Sequence, residues 1–351
     1  MNNIKIAVIG GGFFGSSIAL QIKEKYPNIK VDLFEKKDDL LKGTSGKNQF
    51  RSHRGYHYPR SHKTFIECEA SNKSFEEFFK NCYFKSNNYY SISKYKSKTN
   101  FNKYIQYLDK VRLEYKIIDN HPLIKSCSSQ GIILANEKLI NINKARLLLK
   151  KEICNKGVNL FLNYEVKTDK SFCNNYSNII LATYENNNFI KTNLNIKTSK
   201  YFYQLVEKII IDTPKAYKSF SCVVLDGDFV SIDPFNQNQH VIGHVKDTVI
   251  KSKNSIRGLK LTKSELLKYN SYMVYGKKDS LFPKIRKDFL KYFEYFKEAK
   301  YSKSFFVIRS TKRNKNDERT TDIEIDKKFI SVHSGKWINC IEAAKIVSKM
   351  I

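Results

Sequence analysis

The chain has 351 residues, 41% of them hydrophobic, with 24 Phe and 22 Tyr, which is enough to build a large core in two lobes and excludes a disordered protein. No apolar run approaches the ~18 residues that cross a bilayer, the seven cysteines are scattered, and the sequence enters an apolar strand at once, so a cytoplasmic chain with reduced thiols and no metal site is expected. The net charge of +29 suits polyanionic partners, but its lysines are spread along the whole chain, so solvated surface is expected rather than a specific nucleic-acid site; peripheral membrane contact stays open.

Residues 4–9 read as a strand that runs into Gly10-Gly11-Gly12-Phe13-Phe14-Gly15, a Gly-x-Gly-x-x-Gly turn opening a helix over 16–26. A second strand, 31–34, ends on Glu35, which lies 35 − 15 = 20 residues after the last glycine. This is the order of an ADP-binding βαβ unit. Gly10 permits the tight turn, Gly12 admits a pyrophosphate, Gly15 lets helix and strand pack closely, and Glu35 is placed for ribose hydroxyls. The helix N-terminus, with its free N–H groups, holds phosphate charge. FAD and NAD present the same ADP half to such a unit.

Further on, a loop over 43–61 carries Arg51, His53, His57, Tyr58 and Arg60. Helices are expected over 64–82 and 102–116, with a strand at 88–93 between them. Asn141 or Asn143 caps a helix to residue 155, Gly157 ends it, and strands follow at 158–162 and 178–183. The pattern then turns to strands at 203–211, 221–225, 229–232 and 240–245. Helices at 262–269 and 283–299 precede a final strand (329–333), turn (334–337) and helix (338–351). His240 and His244, at even spacing, read as sheet-face residues lining a cavity.

This layout resembles the FAD-dependent oxidoreductases of the D-amino-acid oxidase superfamily, in particular the branch oxidising glycerol 3-phosphate and L-2-hydroxyglutarate. The resemblance rests on the 10–35 unit, on the loop with its His53-Arg54-Gly55 triplet, on the strand end Leu181-Ala182-Thr183 with Val166 upstream, and on the Gly335 turn between the last strand and helix. It implies α/β with α+β character: a discontinuous Rossmann-like FAD-binding domain (1–83, 130–200, 303–351) and an antiparallel-sheet substrate domain (84–129, 201–302). It further implies FAD contacts from Gly10, Gly12, Phe13, Phe14, Gly15, Glu35, Lys36, Thr44, Ser45, Val166, Ala182, Thr183, Gly335, Lys336 and Trp337.

The expected activity is hydride transfer to flavin N5 from a CH–OH or CH–NH group of a small, polar, anionic substrate. His53 and His57 are the candidate bases, because imidazole titrates near neutrality. Arg51, Tyr58, Arg60, Arg309 and Arg319 are the candidate substrate-binding residues, arginine being suited to bidentate anion recognition. Two alternatives remain at this stage: an NAD-dependent oxidoreductase, and a basic nucleotide- or nucleic-acid-binding protein without redox chemistry.

Overall fold

The computed structural model describes residues 4–270, 280–312 and 318–351. Two sheets organise these residues. The first has six strands in the order 321–326, 329–334, 178–181, 5–9, 30–34, 159–161. All run parallel except Thr321–Asp326, which pairs antiparallel with Phe329–Ser334. Lys5–Ile9 is buried at four of its five positions, as befits a parallel strand covered on both faces. The crossover helix is Phe13–Lys25, beginning three residues earlier than expected, with Gly12 as its N-cap. The glycine turn thus passes directly into helix. The terminal helix, Cys340–Ser348, is shorter than expected because Trp337–Asn339 forms a 3-10 turn. Its Cys340, Ala343, Ala344 and Val347 join Ile18 and Ile22 in one core.

The second sheet runs in the order 249–255, 201–212, 239–244, 230–234, 220–225, 87–93, 129–135, 115–118, with Lys300–Thr311 paired to Tyr201–Asp212. It is antiparallel except where Phe220–Leu225 lies parallel to Asn87–Ser93. Two expected domain limits are corrected here. Ser129–Ala135 and Lys300–Thr311 both belong to this sheet and not to the nucleotide-binding part, because their pairing partners are Asn87–Ser93 and Tyr201–Asp212. Cross-strand neighbours decide membership of a sheet, and sequence position does not.

The helix expected over 102–116 stops at Lys110; Arg112 reverses the chain at φ 56° and Tyr115–Ile118 pairs as a strand. The helix expected over 283–299 likewise ends at Tyr292, with Tyr295 left-handed at φ 55°.

The second sheet has two faces with different neighbours. Ile210 and Val241, with Phe235 and Phe305, pack toward the first sheet. Ile209, Ile211, Ile232 and Ile242 face the other way, beneath the helix Phe282–Tyr292. Among the described residues no helix is long and apolar enough to cross a membrane. All seven cysteines are free; Cys127 and Cys154 are exposed and five are buried.

Candidate active site

The glycine turn is held by contacts that no other residue would allow. Gly10 adopts φ +110°, and a Cβ there would lie 2.6 Å from the Ala182 carbonyl oxygen; a Cβ on Gly15 would lie 1.8 Å from the Gly10 oxygen. Glu35 is fixed beside the turn, its Oε2 accepting from Gly11 N at 2.8 Å and its Oε1 from Lys37 N at 2.9 Å. Ser45 Oγ faces the helix start, 3.4 Å from Phe13 N.

From this turn a cavity of about 1310 Å³ extends to the second sheet, beyond the ~300–1,000 Å³ of an ordinary ligand pocket. Its near end is lined by Gly12, Phe14, Lys36, Thr44, Val166 and Thr183, with Glu35, Ser45 and Ala182 beside them. These residues fit a dinucleotide: backbone donors at a helix N-terminus, a carboxylate one strand away, and a cradle that a side chain on Gly12 would enter toward Ser45. Phe13 departs from expectation. Its ring is buried in the core, stacked on Trp337 at 5.1 Å and edge-on to Phe75 and Phe79, so only its backbone is turned to the cavity start. Trp337 accordingly serves as a packing wall.

At the far end His53, His57, Tyr58, Gly335 and Lys336 meet residues of the second sheet. Gly55 explains the triplet: it sits at φ +114°, and a Cβ there would lie 2.4 Å from the Phe65 ring. His53 Nδ1 lies 3.6 Å from Glu137 Oε1. Burial, then the charge of Lys336, pushes the His53 imidazole down to about 4 despite Glu137. His57 is pushed well below its ordinary value, by burial first and by His53 next, and its Nδ1 has no partner. Lys336 places its ammonium 4.3 Å from the Tyr58 ring centre, and desolvation lowers it to about 7. Its side chain lines the cavity and is only half-buried.

Two expected substrate ligands are corrected. Arg51 is consumed in a buried network: Nη1 donates to Glu137 Oε2 at 2.9 Å, and Nη2 donates to Ser221 Oγ at 2.5 Å and pairs with Asp233 Oδ1 at 2.8 Å. Burial would neutralise it, but Asp233 and Glu137 raise its pKa and keep it charged. Arg60 lies outside the cavity wall and donates to Asp226 at 2.7 Å. Arg309 and Arg319 do line the cavity. Arg309 Nε donates to Gln204 Oε1 at 2.7 Å, a neutral partner. The Arg319 stem packs on Gly335 while its backbone N–H donates to Thr64 Oγ1.

Sequence reasoning missed Glu137 and Lys208. Glu137 is fully buried, bound by Arg51, Tyr90 and the Arg54 backbone. Burial pushes its carboxyl up, but His53 and Arg51 overcome this and hold it at about 2. Its signal was an acid between the apolar runs 132–135 and 139–140. Lys208 stands beside Glu207 inside an apolar strand, and the alternation sends them to opposite faces. Glu207 binds Ser280 Oγ and Leu281 N on the far face, whereas Lys208 lines the cavity.

Of the two sheet-face histidines, His244 lines the cavity as expected, whereas His240 is not among its lining residues and is buried between Thr213 Oγ1 and the Phe220 carbonyl. His244 has acid neighbours that the sequence hid, Asp247 at 3.9 Å and Asp288 at 3.5 Å. Both carboxylates are already paired, to Lys284 and Lys291.

Comparison with known proteins follows the same lines. Residues 5–260 match the family described as FAD dependent oxidoreductase (DAO). An FAD-dependent monooxygenase, kojA of Aspergillus flavus, is 37% identical over 76 residues, 22% of this chain and 17% of that protein. An L-2-hydroxyglutarate dehydrogenase of Indibacter alkaliphilus is 35% identical over 85 residues, 21% of each chain. The chain therefore aligns with about a fifth of the length of these curated relatives. In structure, glycine oxidase from Geobacillus kaustophilus superposes with a TM-score of 0.71 at 11% identity, over 99% of this chain and 94% of that one. L-α-glycerophosphate oxidase from Mycoplasma pneumoniae, solved with FAD bound, gives 0.70 at 14% identity over the same shares.

Proposed function

Because the chain belongs to the family of FAD-dependent oxidoreductases, we propose that it oxidises a CH–OH or CH–NH group of a small, polar, anionic substrate held between His53 and Arg309. The observation that carries this reading is that neutral imidazoles and a guanidinium with no carboxylate partner among the described residues line the same cavity. Bound FAD supplies the two-electron acceptor for the hydride. Gly10, Gly12, Gly15 and the start of helix Phe13–Lys25 hold its pyrophosphate, and Glu35 takes its ribose hydroxyls.

The remaining roles fall to this chain's own side chains. As the C–H leaves with both its electrons, the O–H or N–H proton passes to His53, which is neutral and therefore able to accept it. Glu137, ionised behind the ring, orients it and stabilises the positive charge it gains. Arg309 holds a substrate carboxylate or other anion. Lys336 adds positive charge where the reduced cofactor accumulates negative charge.

The test is an anaerobic screen of hydroxy acids and amino acids against the purified flavoprotein, read by bleaching of the flavin's visible absorption. Bleaching by an anionic alcohol or amine, lost in His53→Gln with flavin still bound, supports the reading. Retention of full rate in His53→Gln removes its chemical basis.

A further inference from the structure

Arg309 is not alone on the wall facing the cofactor domain. Gln204 pairs with Arg309, and Lys208 with Phe305, in an unbroken antiparallel register. Positions 204 and 208 therefore share a face with 309 and 305, and Phe305 and Ile210 identify that face as the one turned toward the first sheet. Four residues along the sheet and one inter-strand spacing separate the two cations, about 14 Å between their Cα atoms, a span that two long side chains close to the length of a small molecule.

Each is charged without an acid in contact among the described residues. There Arg309 donates to Gln204 Oε1 and the Val245 carbonyl, and its charged neighbour is Arg319. Lys208 has no hydrogen bond or ion pair with any described residue; the acid that acts on it is Asp233, whose Oδ1 is taken by Arg51 and Ser221 and whose buried Oδ2 has no partner among the described residues. Desolvation first and Arg309 next lower the Lys208 ammonium to about 8, so it stays mostly charged at neutral pH. Two neighbouring, half-buried cations without carboxylates repel one another, and an anion placed at each relieves that repulsion.

Building on the oxidation reading above, we propose that Lys208 forms a second anion subsite opposite Arg309, so that the substrate carries two anionic groups flanking the oxidised carbon. One anion is a carboxylate at Arg309; the other, at Lys208, is a carboxylate or a phosphate. Lysine suits this end because a point charge with three rotating donors accepts either geometry.

The test uses the FAD-loaded full chain and three 2-hydroxy acids: lactate with one anion, malate with a second carboxylate, and 3-phosphoglycerate with a phosphate. Anaerobic flavin reduction is expected to favour one of the two larger acids over lactate by at least about 100-fold in kcat/KM. Which of them leads tells carboxylate from phosphate. Lys208→Met should collapse that preference below about tenfold, mainly through KM, and Lys208→Arg should keep most of it.

A second readout needs no turnover: perturbation of the flavin spectrum by malonate or succinate, compared with acetate, should be dianion-selective in the parent and lost in Lys208→Met. Equal use of lactate, malate and 3-phosphoglycerate, or a Lys208→Met variant that loses thermal stability but not selectivity, overturns the proposal and returns Lys208 to service of Asp233. Dianion-selective perturbation without flavin reduction by any substrate would instead uphold the subsite and sink the oxidation reading.

Discussion

The two ends of the cavity are built from different materials. At the nucleotide end the backbone does the recognising: a glycine turn, the start of one helix, and a carboxylate pinned by two N–H groups, all within residues 9–37. At the other end the wall is made of side chains from the 43–61 loop, from strands Tyr201–Asp212, Gln239–His244 and Lys300–Thr311 of the second sheet, and from the terminal turn. A site made of local backbone tolerates few residue types and so announces itself in sequence. A site made of distant side chains is assembled by the fold and can change its ligand by changing a single residue.

Substitutions should separate the two ends cleanly. The largest effect is expected from His53→Gln, which should lower kcat by about 10²–10⁴-fold, the range for a general base, while flavin content stays at the parent level. Loss of flavin together with rate would merge the two ends and break the contrast.

Arg51→Met should follow, because it leaves Glu137 and Asp233 buried without their cation. A loss of about 3–5 kcal/mol in unfolding free energy is expected, measured by denaturant titration. At the nucleotide end, Gly12→Val should reduce FAD affinity by more than about tenfold, by pushing a side chain toward Ser45, with substrate preference unchanged in enzyme reconstituted at high FAD.

The smallest effect concerns pH. With the His53 imidazole held near 4, its proton-accepting form persists from neutrality downward, so kcat/KM should be level between about pH 5 and 6, decline through about 7 as Lys336 loses its charge, and fall on the acid side only below about 4. On the alkaline side, KM for an anionic substrate should rise above about pH 8 as Lys208 loses its proton. An acid limb centred on pH 6.5 would show that burial does not govern His53.

The same contrast explains what could be read from the sequence. The Gly10–Gly15 turn and Glu35 were legible because each position answers a backbone requirement: a positive φ, a 1.8 Å approach, an N–H to be accepted. His53 and Gly55 were legible for a similar reason, since only glycine leaves room for the Phe65 ring. Arg51 and Arg309 look alike as residues, yet one is locked between two carboxylates and the other has none among the described residues; that difference is set by Glu137 and Asp233, remote in sequence. Lys208 was hidden by Glu207, which made the pair look like an ordinary polar interruption of a strand until the two faces of the sheet acquired different neighbours. Residues 303–311 were expected in the FAD-binding domain because the partner of strand Lys300–Thr311 lies some hundred residues earlier.

The Arg51 network also bears on traffic through the cavity. It fastens the histidine loop to partners 86 and 170 residues away, so swinging that loop outward would strand two buried carboxylates. The loop therefore behaves as masonry and not as a door, and its amides should exchange with solvent only when the second sheet itself opens. Any widening of the chamber has to come from other lining elements, such as the short helix Lys263–Asn270 with its Leu266 and Tyr269.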